Sequence, residues 1–323
     1  MIYLHIGTHK TGTSALQSFL SHRADALREQ GVRYVTAGTG SGRAHHDLPK
    51  SLRERDGNNL SAWEELREEL AAESFPINVV SSEGFWFCDP ALVKEQLDGM
   101  DVRIVLYLRR QDKYLQSLYK QTVTGGRKMD FEKWNEQYHA RGDYHAVVEQ
   151  WADQFGAESL IIRPYEREEG TIDIVDDFNS IIGVDSSEIP GKRGGKLRNP
   201  SPRRELLTLL RALNYVGLEF NREKFFWTLI RSHTNYVRSG DILNHKQCIA
   251  LMEGYAASND KLIEKFYRDA AAPLFPLMKR GVPLVFWGPD DREHFEMTVE
   301  FLDLLVRSVA SGRRIACVRC GAD

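Results

Sequence analysis

The sequence predicts an α/β protein: a three-layer arrangement in which a parallel sheet is flanked by helices, followed by a mainly helical C-terminal part. Three observations predict it. Short apolar runs at 2–6, 76–82, 103–108 and 159–163 alternate with helix-period segments, the pattern of a parallel sheet covered on both faces. The first run opens directly into a turn holding Gly7 and Gly12 and then into an amphipathic helix. After about residue 200 helical spacing dominates, through Leu206, Leu209, Leu210 and Leu213 and again at 221–232, 244–268 and 291–310. The division expected is a core at 1–190 and a helical region at 191–323.

The elements follow in order. Ile2 to Ile6 form the first strand. Ser14 to about Gln30 form a helix with Leu16, Phe19, Leu20, Ala24 and Leu27 as its apolar stripe. Gly31 stops that helix, and Val32–Tyr34 can add a short strand. Residues 36–60, rich in Gly, Ser, Asn and charge, predict a long loop. Ser61 with Glu64 is a capping-box pattern for the next helix, whose buried face is Trp63, Leu66 and Leu70. A strand then runs through Asn78 and Val79, and another ends at Leu108. A helix follows with Leu115, Leu118, Tyr119 and Thr122 on one face. Val147, Val148, Trp151 and Phe155 mark the helix before the strand at 159–163. Residues 185–203 predict a loop, and Ser201-Pro202 a helix start. In such a sheet, ligands bind beyond the carboxyl ends of the strands, so the segments after Ile6, Ser81 and Leu108 are brought together by topology alone.

The first of those segments is Gly7-Thr8-His9-Lys10-Thr11-Gly12-Thr13-Ser14. A strand, a glycine-bearing turn and a helix start make an anion site, because the first helical N–H groups and the helix dipole both face the ligand. The spacing of the glycines matches a Walker A loop, but Thr13 stands where that loop has lysine, and Lys10 lies inside the turn. The variant K-T-G-T-S after a strand resembles the sulfate-side phosphate loop of the sulfotransferases that use PAPS (phosphoadenosine phosphosulfate). The second segment supports the resemblance: Arg109 at a strand end, Ser117 eight residues later and Tyr119 after it are similar to the family's site for the ribose 3′-phosphate.

The resemblance implies a bacterial enzyme with the P-loop-like sulfotransferase fold. It would move a sulfuryl group from PAPS to a hydroxyl, or an amine, of a carbohydrate or small-molecule acceptor, releasing PAP and requiring no metal. Lys10, Thr11, Gly12, Thr13 and Ser14 would hold the sulfate-side phosphate, Lys10 offsetting charge on the bridging oxygen. Arg109 and Ser117 would hold the 3′-phosphate, with Arg110 the less favoured neighbour of Arg109. Thr13 and Ser14 can equally be helix caps. For the general base, Glu83 is placed first and His46 second, with His45 beside it. Glu83 occupies the strand end where cytosolic sulfotransferases carry the histidine of a lysine-threonine-histidine run; other groups of the family use glutamate. Beside Phe85-Trp86-Phe87 its pKa is expected to be raised, although a carboxylate that only shapes the loop is the alternative. The basic run 191–198 is a further candidate for the nucleotide, and Trp86, Trp134, Tyr138 and Trp151 for the acceptor. The readings set against this are a P-loop kinase or NTPase, for which no acidic Walker B residue is evident, and a non-catalytic nucleotide-binding protein.

Composition narrows the field. A net charge of −3 over 323 residues argues against a general nucleic-acid binder. The sequence contains no apolar stretch long enough for a membrane span, and the first strand begins at Ile2, which leaves no room for a leader; a cytoplasmic location is expected. Cys88, Cys248, Cys317 and Cys320 are too few and scattered for a disulfide framework, and the lone C-x-x-C lacks the second pair that a structural zinc site needs.

Overall fold

Five strands, β1 (Ile2–Gly7), β2 (Val32–Tyr34), β3 (Ile77–Ser81), β4 (Val102–Leu108) and β5 (Leu160–Pro164), form one all-parallel sheet in the order β2-β3-β1-β4-β5. The computed structural model describes residues 1–53, 60–167, 170–189, 202, 204–216, 218–219, 242–268, 273–276 and 316–317. The chain divides into two compact units. The first comprises Met1–Tyr114, Arg141–Leu197 and Gly254–Leu277, and the second Leu115–Ala140, Arg198–Glu253 and Met278–Asp323.

The sheet belongs to the first unit, and β1 is its centre. Leu4 lies opposite Val80 on one side and Ile104 on the other; His5 lies opposite Ser81 and Val105. Leu4, Ile6, Val79, Val80 and Ile104 to Leu108 are all buried, as continuous apolar runs require when both faces are covered. On one face α1 (Thr13–His22), α2 (Ala24–Glu29) and α9 (Ile174–Ile181) supply Leu16, Leu20, Leu27 and Phe178 against Val105 and Tyr107. α5 (Pro90–Gln96) and α12 (Ala256–Phe266) pack against α8 (Tyr144–Phe155), which touches β5 and buries Val148 and Trp151. Because β1 sits between β3 and β4, the carboxyl ends of these strands form the switch point at which such sheets bind ligands.

Most of the expected elements are present, with local differences that have physical reasons. The helix expected over 14–30 is two: the Arg23 N–H closes α1 on the Phe19 carbonyl, and the Arg23 carbonyl accepts from Leu27 to open α2. The loop expected over 36–60 contains α3 (Asp47–Arg53), which buries Leu48 and Pro49; proline is tolerated in a first turn. In α4 (Ser61–Ala72) the N-cap is Leu60, whose carbonyl accepts from Trp63 and Glu64. Ser61 is thus already helical, and the capping box does not form.

Among the described residues, elements beyond what the sequence suggested include α5, α7 (Phe131–Tyr138), α9, and the hairpin of β6 (Glu166–Arg167) with β7 (Gly170–Thr171). The 244–268 pattern is two helices, α11 (His245–Glu253) and α12. Residues 191–198, 221–232, 291–310, Ser201 and Cys320 lie outside the described residues. In the second unit, α6 (Gln111–Thr124) from Leu115 onward is joined to α10 (Arg204–Val216) by the Asn214 amide, which donates to the Val123 and Arg127 carbonyls. There, too, β8 (Leu218–Glu219) pairs antiparallel with β9 (Ala316–Cys317). No helix among the described residues is long and apolar enough to cross a membrane.

Candidate functional site

The β1–α1 turn is held in a narrow range of shapes. Thr8 bonds the Tyr107 carbonyl through its N–H at 3.1 Å and its hydroxyl at 3.2 Å. Thr11, fully buried, donates its hydroxyl to the Thr8 carbonyl at 2.6 Å, so that hydroxyl closes the turn and is not available to a ligand. Gly7 has φ 108°, and a Cβ there would stand 3.2 Å from the Glu83 Cβ. Gly12, with φ 81°, is the N-cap of α1, and its carbonyl accepts from Ala15 and Leu16. Thr13 and Ser14 are therefore the first helical residues and not caps. Their N–H groups belong to the set that an α-helix leaves without an intrahelical acceptor. Thr13 is buried and Ser14 exposed.

Lys10 sits at the crest of the turn with φ 66°, the left-handed region that side chains rarely adopt. It is half-buried, and its ammonium has no ion pair or hydrogen bond among the described residues. Burial lowers its pKa, Arg109 lowers it further, and Glu83 opposes both. Arg109, just past β4, donates through Nη1 to the Lys10 carbonyl at 3.3 Å and through Nε to Glu166 Oε1 at 3.0 Å, and its guanidinium lies 5.7 Å from the centre of the Tyr165 ring. The third guanidinium nitrogen, Nη2, has no partner among the described residues.

Arg110 has a different task. It is buried, bonds both Asp112 oxygens at 3.1 Å and donates to the Pro276 carbonyl at 3.0 Å, an internal brace for the start of α6. Ser117 is half-buried on α6, in the part of that helix belonging to the second unit.

The carboxyl end of β3 supplies Ser82 and Glu83. Glu83 Oε2 accepts from the Gln17 amide at 2.9 Å. Burial works to raise the Glu83 pKa, but the Gln17 bond, a backbone N–H, and the nearby His9 and His46 outweigh it, and the net direction is downward. The raised pKa expected from the neighbouring aromatic run is thus reversed. That run turns away: Phe85 and Trp86 are buried, and only Phe87 is exposed.

The adjacent histidines separate cleanly. His45 is fully buried; its Nδ1 accepts from the Ser81 N–H at 3.0 Å, which leaves Nε2–H to donate to the Val35 carbonyl at 2.7 Å. Burial pulls its pKa to about 4, so it is a neutral structural bridge and not a base candidate. His46 is exposed, with Nδ1 2.8 Å from Ser82 Oγ, and its Nε2 has no protein partner among the described residues.

Sequence reasoning missed four contributors. His9, in the turn itself, packs on Phe87 with ring centres 5.3 Å apart and has a buried Nδ1 without a partner among the described residues. Burial lowers its pKa; Glu83 raises it, while Lys10, Arg141 and His46 lower it. Arg141 lies 5.3 Å from the centre of the Phe87 ring. Glu166 pairs with Arg109, and Gln17 holds Glu83. His9 is the one a reader of the sequence had in view, beside Lys10; the other three depend on chain reversals with no local signature. Trp86, Trp134 and Trp151, proposed to line an acceptor pocket, are core side chains at 3%, 1% and 1% exposure. Tyr138 is half-buried against Trp134 within the second unit, their ring centres 5.1 Å apart.

Among the described residues no cluster of three or more His, Cys, Asp or Glu is placed to hold a metal ion. No family model matches the chain. An uncharacterized protein of Archaeoglobus fulgidus is 29% identical over 205 residues, covering 58% of this chain and 53% of that protein, so the chain spans about half the length of the curated relative it matches. Among solved structures, a sulfotransferase from Alicyclobacillus acidocaldarius aligns over 66% of this chain and 91% of its own, with TM-score 0.38 and 19% identity. A retinol dehydratase in complex with androsterone and inactive cofactor PAP aligns over 83% of this chain and 82% of its own, with TM-score 0.32 and 14% identity.

Proposed function

We propose that the chain transfers a sulfuryl group from PAPS to an acceptor hydroxyl, with the cofactor held by the 1–190 part. The observation that carries this reading is the Lys10–Arg109 pair. An ammonium without a partner among the described residues stands beside a guanidinium, at a helix N-terminus, on a strained backbone that keeps it there. Arg109 is already paired with Glu166, whereas Lys10 has no carboxylate partner among the described residues, and anionic groups at the turn offset the repulsion between the two cations. A nucleotide with phosphates at both its 5′ and 3′ positions supplies such an anion for each cation.

In this reading Lys10, with the N–H groups from Thr11 through Ser14, takes the sulfate-side phosphate, and Arg109 takes the 3′-phosphate. The acceptor oxygen attacks sulfur, a new O–S bond forms, and the S–O bond to the phosphate breaks. The charge left on PAP is met by Lys10. The acceptor proton passes to Nε2 of His46, in the tautomer whose Nδ1–H donates to Ser82 Oγ. Glu83 is assigned as the charge that steadies the imidazolium so formed, because a carboxylate with a lowered pKa is a weak proton acceptor.

Calorimetric titration with PAP and with ATP–Mg²⁺ tests the cofactor assignment: saturable PAP binding with ATP–Mg²⁺ at least tenfold weaker is expected, and the reverse order would favour a kinase or NTPase. The pH–rate profiles of His46→Ala and Glu83→Gln test the base. Loss of the acid limb in the first variant alone is expected.

A further inference from the structure

We infer that Gln17 is a positioning residue: its buried side-chain amide, reaching out from α1, fixes the Glu83 carboxylate beside the phosphate turn, so that one oxygen is occupied and the charge stays directed at His9 and His46. The inference starts from an anomaly in the helix. Thr13, Leu16, Gln17 and Leu20 all lie on the buried face of α1, and Gln17 is 5% exposed, where an apolar side chain is the usual choice. A primary amide in such a place needs partners, and Nε2 finds two: Glu83 Oε2 at 2.9 Å and Ser81 Oγ at 3.4 Å.

The neighbours fix the direction of these bonds. Ser81 Oγ also lies 2.7 Å from Nδ1 of His5, which is fully buried, and burial pulls the His5 pKa to about 4. A neutral imidazole carries its proton on one nitrogen, so Nδ1 either accepts from the Ser81 hydroxyl or donates to its oxygen, and in both cases the Ser81 oxygen keeps a lone pair to receive the Gln17 N–H. The opposite amide rotamer would set the Gln17 carbonyl oxygen against a carboxylate and is excluded by that repulsion. A polar thread from His5 on β1 through Ser81 on β3 and Gln17 on α1 thus ends on Glu83. The groups whose charges act with Glu83 are His5, His9, Lys10, Tyr34 and His46. Gln17 contributes no charge of its own. It decides where the carboxylate sits and favours its ionised form.

The consequence for turnover rests on the sulfuryl-transfer reading, but the contact itself is tested without it. Thermal melts compare the wild type, Gln17→Glu, and the exchange variant Gln17→Glu/Glu83→Gln at pH 8 and pH 5.5. In Gln17→Glu two carboxylates face each other. The melting temperature is expected to fall by about 4 °C or more at pH 8. The gap narrows at pH 5.5, where the pair shares a proton, and the exchange variant, which restores an amide–carboxylate pair, recovers the loss at both pH values. A gap independent of pH, or an exchange variant as damaged as Gln17→Glu, overturns the inference.

Kinetics then read the positioning role. Gln17→Met, similar in length but without N–H groups, lets the Glu83 charge drift from the base it supports and is expected to move the acid limb of kcat/KM downward by about one pH unit, while PAP affinity stays within about twofold. It should add no further change in a Glu83→Gln background. An unmoved acid limb, or equal losses in both backgrounds, contradicts the role. If the wild type binds no PAP, the sulfuryl-transfer reading fails on its own and the melts still decide the contact.

Discussion

Replacing Lys10 by glycine should leave the protein at least as stable and disable the proposed anion site. The φ of 66° places a lysine where side chains are strained, at a cost of about 1–2 kcal/mol that glycine does not bear. Glycine loses more backbone entropy on folding, which costs about 0.5–1 kcal/mol in return. The charge adds to the gain. The Lys10 pKa is lowered by burial and by Arg109, so the fold disfavours the ammonium, and removing it relieves the fold at neutral pH. The sum is a stabilisation of roughly 0–2 kcal/mol. Lys10→Ala keeps the strained φ and should lie about 1 kcal/mol below Lys10→Gly. A charge-assisted hydrogen bond is worth about 1.5–3 kcal/mol, so PAP affinity should fall roughly 10- to 150-fold in both variants. Urea unfolding and calorimetry on the same preparations measure the two quantities. A Lys10→Gly protein that is destabilised by more than about 1 kcal/mol, or that binds PAP as the wild type does, refutes this reasoning.

Arg109→Ala should weaken PAP binding by at least tenfold and leave adenosine 5′-phosphate binding within about threefold; equal losses in parallel titrations would remove the 3′-phosphate role. Asp112→Asn should cost about 3–5 kcal/mol by urea unfolding, since it strips the buried Arg110 of its counter-charge. A cost under about 1 kcal/mol would show that the pair is dispensable. His5 and His45 both bind protons more readily unfolded than folded, so stability should be full above about pH 6.5 and fall toward pH 4, by on the order of 3 kcal/mol for each. His45→Gln should flatten that slope, and an unchanged slope in urea titrations at pH 7 and pH 5 would contradict the assignment. His46→Ala should lower kcat by about 100-fold with PAP affinity intact; a parallel loss of PAP binding would move His46 from proton transfer to cofactor binding.

The sheet was legible because its signal is local. Continuous apolar runs such as Val102 to Leu108 can only be buried on both sides, and each is followed by helical spacing. The turn between β1 and α1 was legible for the same reason, since Gly7, Lys10 and Gly12 lie within six residues of one another. What the sequence hid is set by distance along the chain. Gln17 and Glu83 are separated by 66 positions and Arg109 and Glu166 by 57, and nothing in either local pattern announces the pairing. The error over Glu83 has the same origin. The adjacent Phe85-Trp86-Phe87 suggested an apolar pocket and a raised pKa, but Gln17, His9 and His46 arrive from elsewhere and reverse it. His45 and His46 look alike as neighbours. Only the fold shows that one is consumed by the Ser81 amide and the Val35 carbonyl while the other keeps a ring nitrogen open. The tryptophans were misjudged because aromatic residues serve cores and sugar sites equally well, and burial alone separates the two uses.

The most direct measurement is the heat of PAP binding to the unmodified protein in dilute salt at neutral pH. With Lys10 at the crest of the turn and Arg109 bonded to its carbonyl, the account predicts a saturable one-to-one isotherm, weakened by substitution at Lys10 and at Arg109 separately. A flat trace from the unmodified protein, or an isotherm indifferent to both substitutions, would contradict the account.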